Sequence, residues 1–139
     1  MITNDVLRSI RYLLDLSDGK VAEIAKLADG TFEVAKADVQ AYLKRDEEPG
    51  YRDCSDLVLA HFLDGLVVHR RGRDPKLPPR PVAKRISNND VLKKLRVAFE
   101  LQDADMHQIF ESVDFPVTKP ELSALFRQRD HRNFRPCGD

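Results

Sequence analysis

The chain is written twice, and this constrains the fold before any residue is considered singly. Each copy of an internal repeat is one packing unit, so every structural assignment must hold in both. Asn4-Asp5-Val6-Leu7 returns as Asn89-Asp90-Val91-Leu92 at an offset of 85, and Arg11/Arg96, Leu16/Leu101, Asp18/Asp103, Ile24/Ile109 and Asp29/Asp114 keep that spacing. Two residues then drop out. At an offset of 83, Val34 meets Val117, Lys36 meets Lys119, Ala41 meets Ala124 and Tyr51-Arg52 meets Phe134-Arg135, before Cys54-Ser55-Asp56 meets Cys137-Gly138-Asp139.

Within each copy the apolar residues recur at helical spacing. Val6, Leu7, Ile10, Leu13 and Leu14 form one stripe behind a Thr3 or Asn4 cap. Val91, Leu92, Leu95 and Phe99 answer it behind Ser87 or Asn88. A second helix begins near Asp18 with Val21, Ile24 and Leu27 inward, and its copy near Asp103 carries Met106, Ile109 and Val113. Third helices are expected over 35–45 and 118–128, the latter opened by the capping box Thr118-Lys119-Pro120-Glu121. From Leu57 to Val68 runs a segment apolar nearly all round, which predicts a buried fourth helix capped by Ser55 and ended by Gly72. The fold class is therefore all-α: two tandem repeats of three to four helices, with helix-turn-helix-like units. The first covers residues 1–72, a basic proline-rich linker covers 73–85, and the second covers 86–139 without a copy of the last helix. Either the second unit continues further or it closes its core another way. A homodimer that supplies the helix in trans is one expectation.

Charge is balanced at 23 Lys and Arg against 23 Asp and Glu, but unevenly placed. Residues 1–69 hold thirteen acids and eight bases, whereas 70–85 hold seven bases and Asp74 alone. No apolar run reaches the roughly 18 residues of a membrane span, and the start lacks the pattern of a signal peptide. Two cysteines are too few for a disulfide framework, so a cytoplasmic protein with reduced thiols is expected.

Several of these segments together resemble a known family. The Asn-Asp-Val-Leu opening, Pro49–Cys54 with its Pro-Gly-Tyr-x-x-Cys pattern, and Phe62–Leu66 with Phe-Leu-x-Gly-Leu carry the likeness. So does Leu122–Arg127 with the closing Cys137-Gly138-Asp139. The chain resembles the YehS-like bacterial family, which carries a tandem domain of unknown function. The resemblance implies a further apolar helix after Cys-Gly-Asp. It implies no activity and brings no catalytic residues.

The residues themselves suggest binding rather than catalysis. Neither a Ser/His/Asp or Cys/His constellation nor a phosphate-binding glycine loop is present, no cofactor is implied, and His61, His69, His107 and His131 lack zinc-ligand spacing. Cys54 and Cys137 precede helix starts, where a dipole lowers a thiol pKa, though a small apolar residue packed under the helix is the plainer reading. Arg11/Asp18 and Arg96/Asp103 recur as pairs, which suits structural salt bridges. The primary expectation is a non-catalytic protein-interaction or scaffolding module, with Leu59, Phe62, Leu63 and Leu66 as core or interface. The alternative is nucleic-acid binding through third helices of the repressor type. The cationic contacts would then be Arg70, Arg71, Arg73 and Lys76 in the connector, with Arg127, Arg129, Arg132 and Arg135 near the end. Asp38 and Glu121 on those helices point the wrong way electrostatically, and the basic connector can equally offset the acidic first repeat.

Overall fold

A computed structural model describes every residue except Leu77, Pro79 and Arg80, and contains seven helices and no strand among the described residues. It divides into two units, Ile2–Ile86 and Ser87–Asp139 with Met1. The first holds α1 (Thr3–Leu13), α2 (Asp18–Ala25), α3 (Lys36–Leu43) and α4 (Asp56–Arg71). The second holds α5 (Asn88–Ala98), α6 (Asp103–Ser112) and α7 (Lys119–Leu125). The connector groups with the first unit, as does Ile86, which is buried and donates its N–H to Asp56 Oδ2 at 3.2 Å. The expected extended run over Arg73–Pro81 includes the three residues outside the described set.

Helix starts follow local chemistry. Ser17 and Ser55 accept from the backbone N–H three residues on, at 3.1 and 3.2 Å. Ser87 with Asp90 and Thr118 with Glu121 close full capping boxes. Asp38 and Asp105 reach back to the N–H of Ala35 and Gln102. α1 departs from expectation. Its cap is Ile2, without a side-chain bond, and Asn4 lies inside the helix and is buried.

Asn4 is buried because its amide is spent on backbone elsewhere. Its Nδ2 donates to the carbonyls of Tyr42 (3.0 Å) and Arg52 (2.8 Å), and its Oδ1 accepts from Cys54 N–H at 2.9 Å. Asn89 repeats all three bonds, to Leu125 O, Arg135 O and Cys137 N–H, at 2.9, 2.9 and 2.8 Å. One amide thereby ties the first helix of each unit to the end of the third helix and to the loop beyond it. Thr3 and its equivalent Asn88 add a bond each, to the carbonyls of Cys54 and Cys137.

α1 and α5 end alike, in a residue of left-handed backbone that is not glycine. Asp15 (φ 52°) and Glu100 (φ 54°) are repeat equivalents. Each is followed by a leucine whose N–H reaches the carbonyl five residues back, Leu16 to Arg11 and Leu101 to Arg96, both at 3.0 Å. That turn sets the direction of the second helix. The arginine at each turn pairs with the acid opening that helix: Arg11 with Asp18 at 3.8 Å, and Arg96 with Asp103.

The first unit closes around α4. Leu7, Val21, Ile24 and Val39 meet Leu59, Phe62, Leu63 and Leu66, all essentially without solvent exposure. Leu13, placed on the α1 stripe by spacing, instead stands 70% exposed. Gly65 is the close crossing with α2, since a Cβ there would lie 1.8 Å from the Ile24 carbonyl oxygen.

Two stability outcomes follow. Asn4→Ala orphans two carbonyls and an N–H, at about 1–3 kcal/mol for each unsatisfied buried group. Urea denaturation should show a loss of at least about 3 kcal/mol, and an unchanged midpoint would mean the clamp is dispensable. Gly65→Ala should cost about 1–3 kcal/mol by forcing α2 and α4 apart. Gly19→Ala, with no neighbour within 4 Å in the same α2, should instead gain about 0.5–1 kcal/mol. Equal melting shifts for the two would contradict the crossing.

Candidate functional site

Laying one unit on the other by the repeat offsets shows where they differ. Positions that α4 covers in the first unit are open in the second. Ile24 is fully buried, whereas its equivalent Ile109 is 48% exposed. Ala25 is buried, and Phe110 in its place is only partly buried. Leu7 and Ile10 are buried, and Leu92 and Leu95 are only partly so. Val113, one turn beyond Ile109, is 68% exposed, and Phe115, in the shortened turn after α6, is 63% exposed beside Phe110 at a ring separation of 6.2 Å. Of the three α6 residues expected to face inward, only Met106 does so fully. The core of this unit is small: Val91, Ala98, Met106, Leu122 and Ala124. An uncovered apolar face on α5 and α6 is the candidate site.

The first unit shows the chemistry of the same face when covered. Phe32, which meets Phe115 at the offset of 83, stacks its ring on His61 of α4 at 3.7 Å and 2°. His61 is buried and its Nδ1 finds no hydrogen-bond partner among the described residues. Burial pushes this imidazole below its usual pKa, against the pull of Asp29 and Asp64. One turn along α4 comes Gly65 against Ile24. Past the helix end, Arg73 donates to the carbonyls of Leu27 and Ala28 at 2.5 and 3.0 Å, at the negative end of α2.

Other candidate residues are placed differently from expectation. Leu59, Phe62, Leu63 and Leu66 are core and have no surface to offer as an interface. Arg70 and Arg71 lie in the last turn of α4, where cations suit the helix dipole. Lys76 is exposed, in a turn whose N–H bonds Asp74. Arg127 and Arg129 border a shallow depression of about 170 Å³ with Lys93, Asp90 and Phe134. Arg132 lies on a neighbouring, more open surface with Asp130 and His131. The backbone of Arg135 is held by Ala124 and Asn89. The acids thought unfavourable for a groove helix have local roles. Asp38 accepts from Ala35 N–H and pairs with Arg52 at 2.7 Å, and Glu121 caps α7. No three His, Cys, Asp or Glu among the described residues are placed to hold a metal ion, and no helix among them is long and apolar enough to cross a membrane.

At both cysteines burial outweighs any dipole effect. The Cys54 thiol is pushed up to about 12 by desolvation, with Asp56 adding to it. Cys137 is raised for the same reason, with Asp139 adding, but is only half-buried.

Asn4, which spacing offers as a cap, and Asn89, which spacing gives no role, are the functional residues that sequence reasoning misses. Their identity in both copies was the available signal, but its meaning depends on carbonyls about forty to fifty residues away.

The tandem architecture defines a class, and comparison with known proteins places the chain within it. The chain belongs to the family described as "Protein of unknown function (DUF1456)", which matches residues 3–72 and 88–139, one segment per repeat. It is similar to the "Uncharacterized protein YehS" of Escherichia coli (strain K12), at 42% identity over 139 residues, covering all of this chain and 88% of that protein. No solved structure matches it.

Alkylation at pH 8 followed by mass spectrometry should label Cys137 first and slowly, and Cys54 only as the first unit unfolds. Equal rates on the folded protein would contradict the difference in burial.

Proposed function

We propose that this chain is a non-catalytic helical repeat protein that works by binding a protein partner, through the apolar face that α5 and α6 leave uncovered. The observation that carries this reading is the contrast between buried Ile24 and half-exposed Ile109 at one repeat position. Val113 and Phe115 enlarge the patch. Taking each such side chain out of water is worth about 1.5–3 kcal/mol, and contiguous exposed apolar surface marks interaction sites on globular proteins.

Nucleic-acid binding has less support. α3 exposes Lys36, Ala37 and Gln40, and α7 exposes Lys119, Pro120, Glu121 and Ser123, which is little cationic surface for phosphates. Arg73 is already engaged with carbonyls.

The test is photo-cross-linking in cells, with the cross-linker placed at Val113 and, as a control, at exposed Tyr12. A discrete adduct at position 113, lost when Ile109 is changed to Asp and absent from position 12, is expected. No adduct at 113, or duplex binding that weakens steeply with salt and requires Lys36 and Lys119, would overturn the reading.

A further inference from the structure

The loop after the third helix has the same frame in both units and a different charge. In the first unit Glu48 N–H reaches the Arg45 carbonyl at 3.0 Å, Tyr51 N–H reaches Glu48 at 3.2 Å, and Arg52 N–H reaches Ala41 at 3.3 Å. His131, Phe134 and Arg135 repeat these bonds to Gln128, His131 and Ala124, at 2.9, 2.9 and 3.1 Å. On that frame residues 44–52 carry three bases and three acids, whereas 127–135 carry Arg127, Arg129, Arg132 and Arg135 against Asp130 alone. The first unit also engages its cations internally. Arg8 pairs with Asp5 at 3.3 Å and donates to the Lys44 carbonyl at 3.0 Å, and Lys44 Nζ donates to the Pro49 carbonyl at 2.8 Å. Their equivalents Lys93 and Arg127 make no side-chain hydrogen bond or ion pair among the described residues. Arg129 stands where the first unit has Asp46. Residues 45–50 are exposed although α4 is in place, as are 128–133, so an element in the position of α4 does not cover this loop.

We infer that the depression of about 170 Å³ bordered by Lys93, Arg127 and Arg129 binds a phosphomonoester dianion. Its one acid is Asp90, which already accepts from Ser87 N–H and Oγ, both at 2.9 Å. Three cations against that carboxylate leave a surplus of two, and a phosphomonoester carries a charge of about −1.5 to −2 at pH 7. Its three terminal oxygens give each cation an acceptor, and a guanidinium fork matches such oxygens in pairs. A phosphodiester or a single carboxylate brings one charge and leaves the surplus unbalanced. Asn89, also lining the depression, holds the Leu125 and Arg135 carbonyls, so the arginines stand on a fixed backbone. Phe134 offers the organic part of the ester an apolar edge. The site uses none of the apolar residues of α6 and stands whether or not that face binds a protein.

The experiment titrates phenyl phosphate into the isotope-labelled full chain at constant ionic strength and follows amide shifts by NMR. Saturable shifts over 87–93 and 125–134 are expected, with 2–8 and 42–51 silent. Methyl phenyl phosphate, the matched diester, should bind about tenfold more weakly, as should phenyl phosphate to Arg127→Gln. Arg129→Asp installs the first unit's residue at an exposed position and should abolish binding, with the dispersed spectrum confirming the fold. Shifts that do not saturate, equal affinity for the diester, or binding that survives Arg129→Asp overturns the inference. Shifts spread over both units also overturn it, assigning the arginines to general charge balance. A phosphoserine peptide separates the sources of the group. Affinity above that of phenyl phosphate supports a modified polypeptide as the ligand, and equal or lower affinity supports a free small ester. An unphosphorylated parent peptide that binds as tightly, or a single-stranded oligonucleotide that binds more tightly through the same arginines, overturns the assignment to a monoester.

Discussion

Two asparagine amides, Asn4 and Asn89, hold together what helix packing alone would leave loose. Helices as short as α3 and α7 are marginal in isolation, and their last carbonyls need partners that the helix cannot provide. Each amide supplies those partners by serving as two donors and one acceptor at once. It anchors the end of the third helix, the loop after it, and the residue just before the expected start of a fourth. Buried and fully bonded, such a group specifies one arrangement, because any slippage of the first helix leaves three backbone groups unsatisfied. Aspartate lacks the donors and leucine lacks all three bonds, so the position admits little else.

Around that anchor the units are assembled by turns whose geometry is repeated more faithfully than their residues. Asp15 and Glu100 both take left-handed backbone that glycine would adopt with less strain. The residues at the cap positions change between the copies, Ile2 against Ser87, Ser17 against Gln102 and Ala35 against Thr118. Thr3 and Asn88 make the same bond with different chemistry. What persists between the copies is the location of hydrogen bonds, together with the charge pair between Arg11 or Arg96 and the acid that opens the next helix. Exposed pairs of this kind add about 0–1 kcal/mol, so their recurrence reflects a shared turn more than a large energetic gain.

The all-α class, the repeat offsets and the extent of α4 were legible in the sequence, because apolar spacing and caps act over a few residues. The asparagine clamps were not, since their partners lie far along the chain. Burial was legible only in part. Leu13 and Val113 sit on the right stripe by spacing yet are exposed, because a stripe becomes a core only where another element covers it. The cysteines show the same limit, for their thiols respond to burial more than to the helix ends they precede. Of the candidate site, spacing identified Ile109 and Val113 but assigned them inward. Only the buried equivalents in the first unit reveal what their exposure means.

The small core of the second unit has a consequence for motion. Fewer buried side chains mean fewer contacts to lose when the unit opens locally, and regions of this kind exchange their amide protons at free energies below that of global unfolding. Met106 and Leu122 are the largest side chains fully sheltered there, while the first unit shelters Phe62 and a ring of leucines. Among the described residues, the second unit is therefore expected to open locally at a lower free energy than the first. A ligand covering α6 would act on breathing as well as on exposure, bringing the second unit toward the rigidity that the first already has.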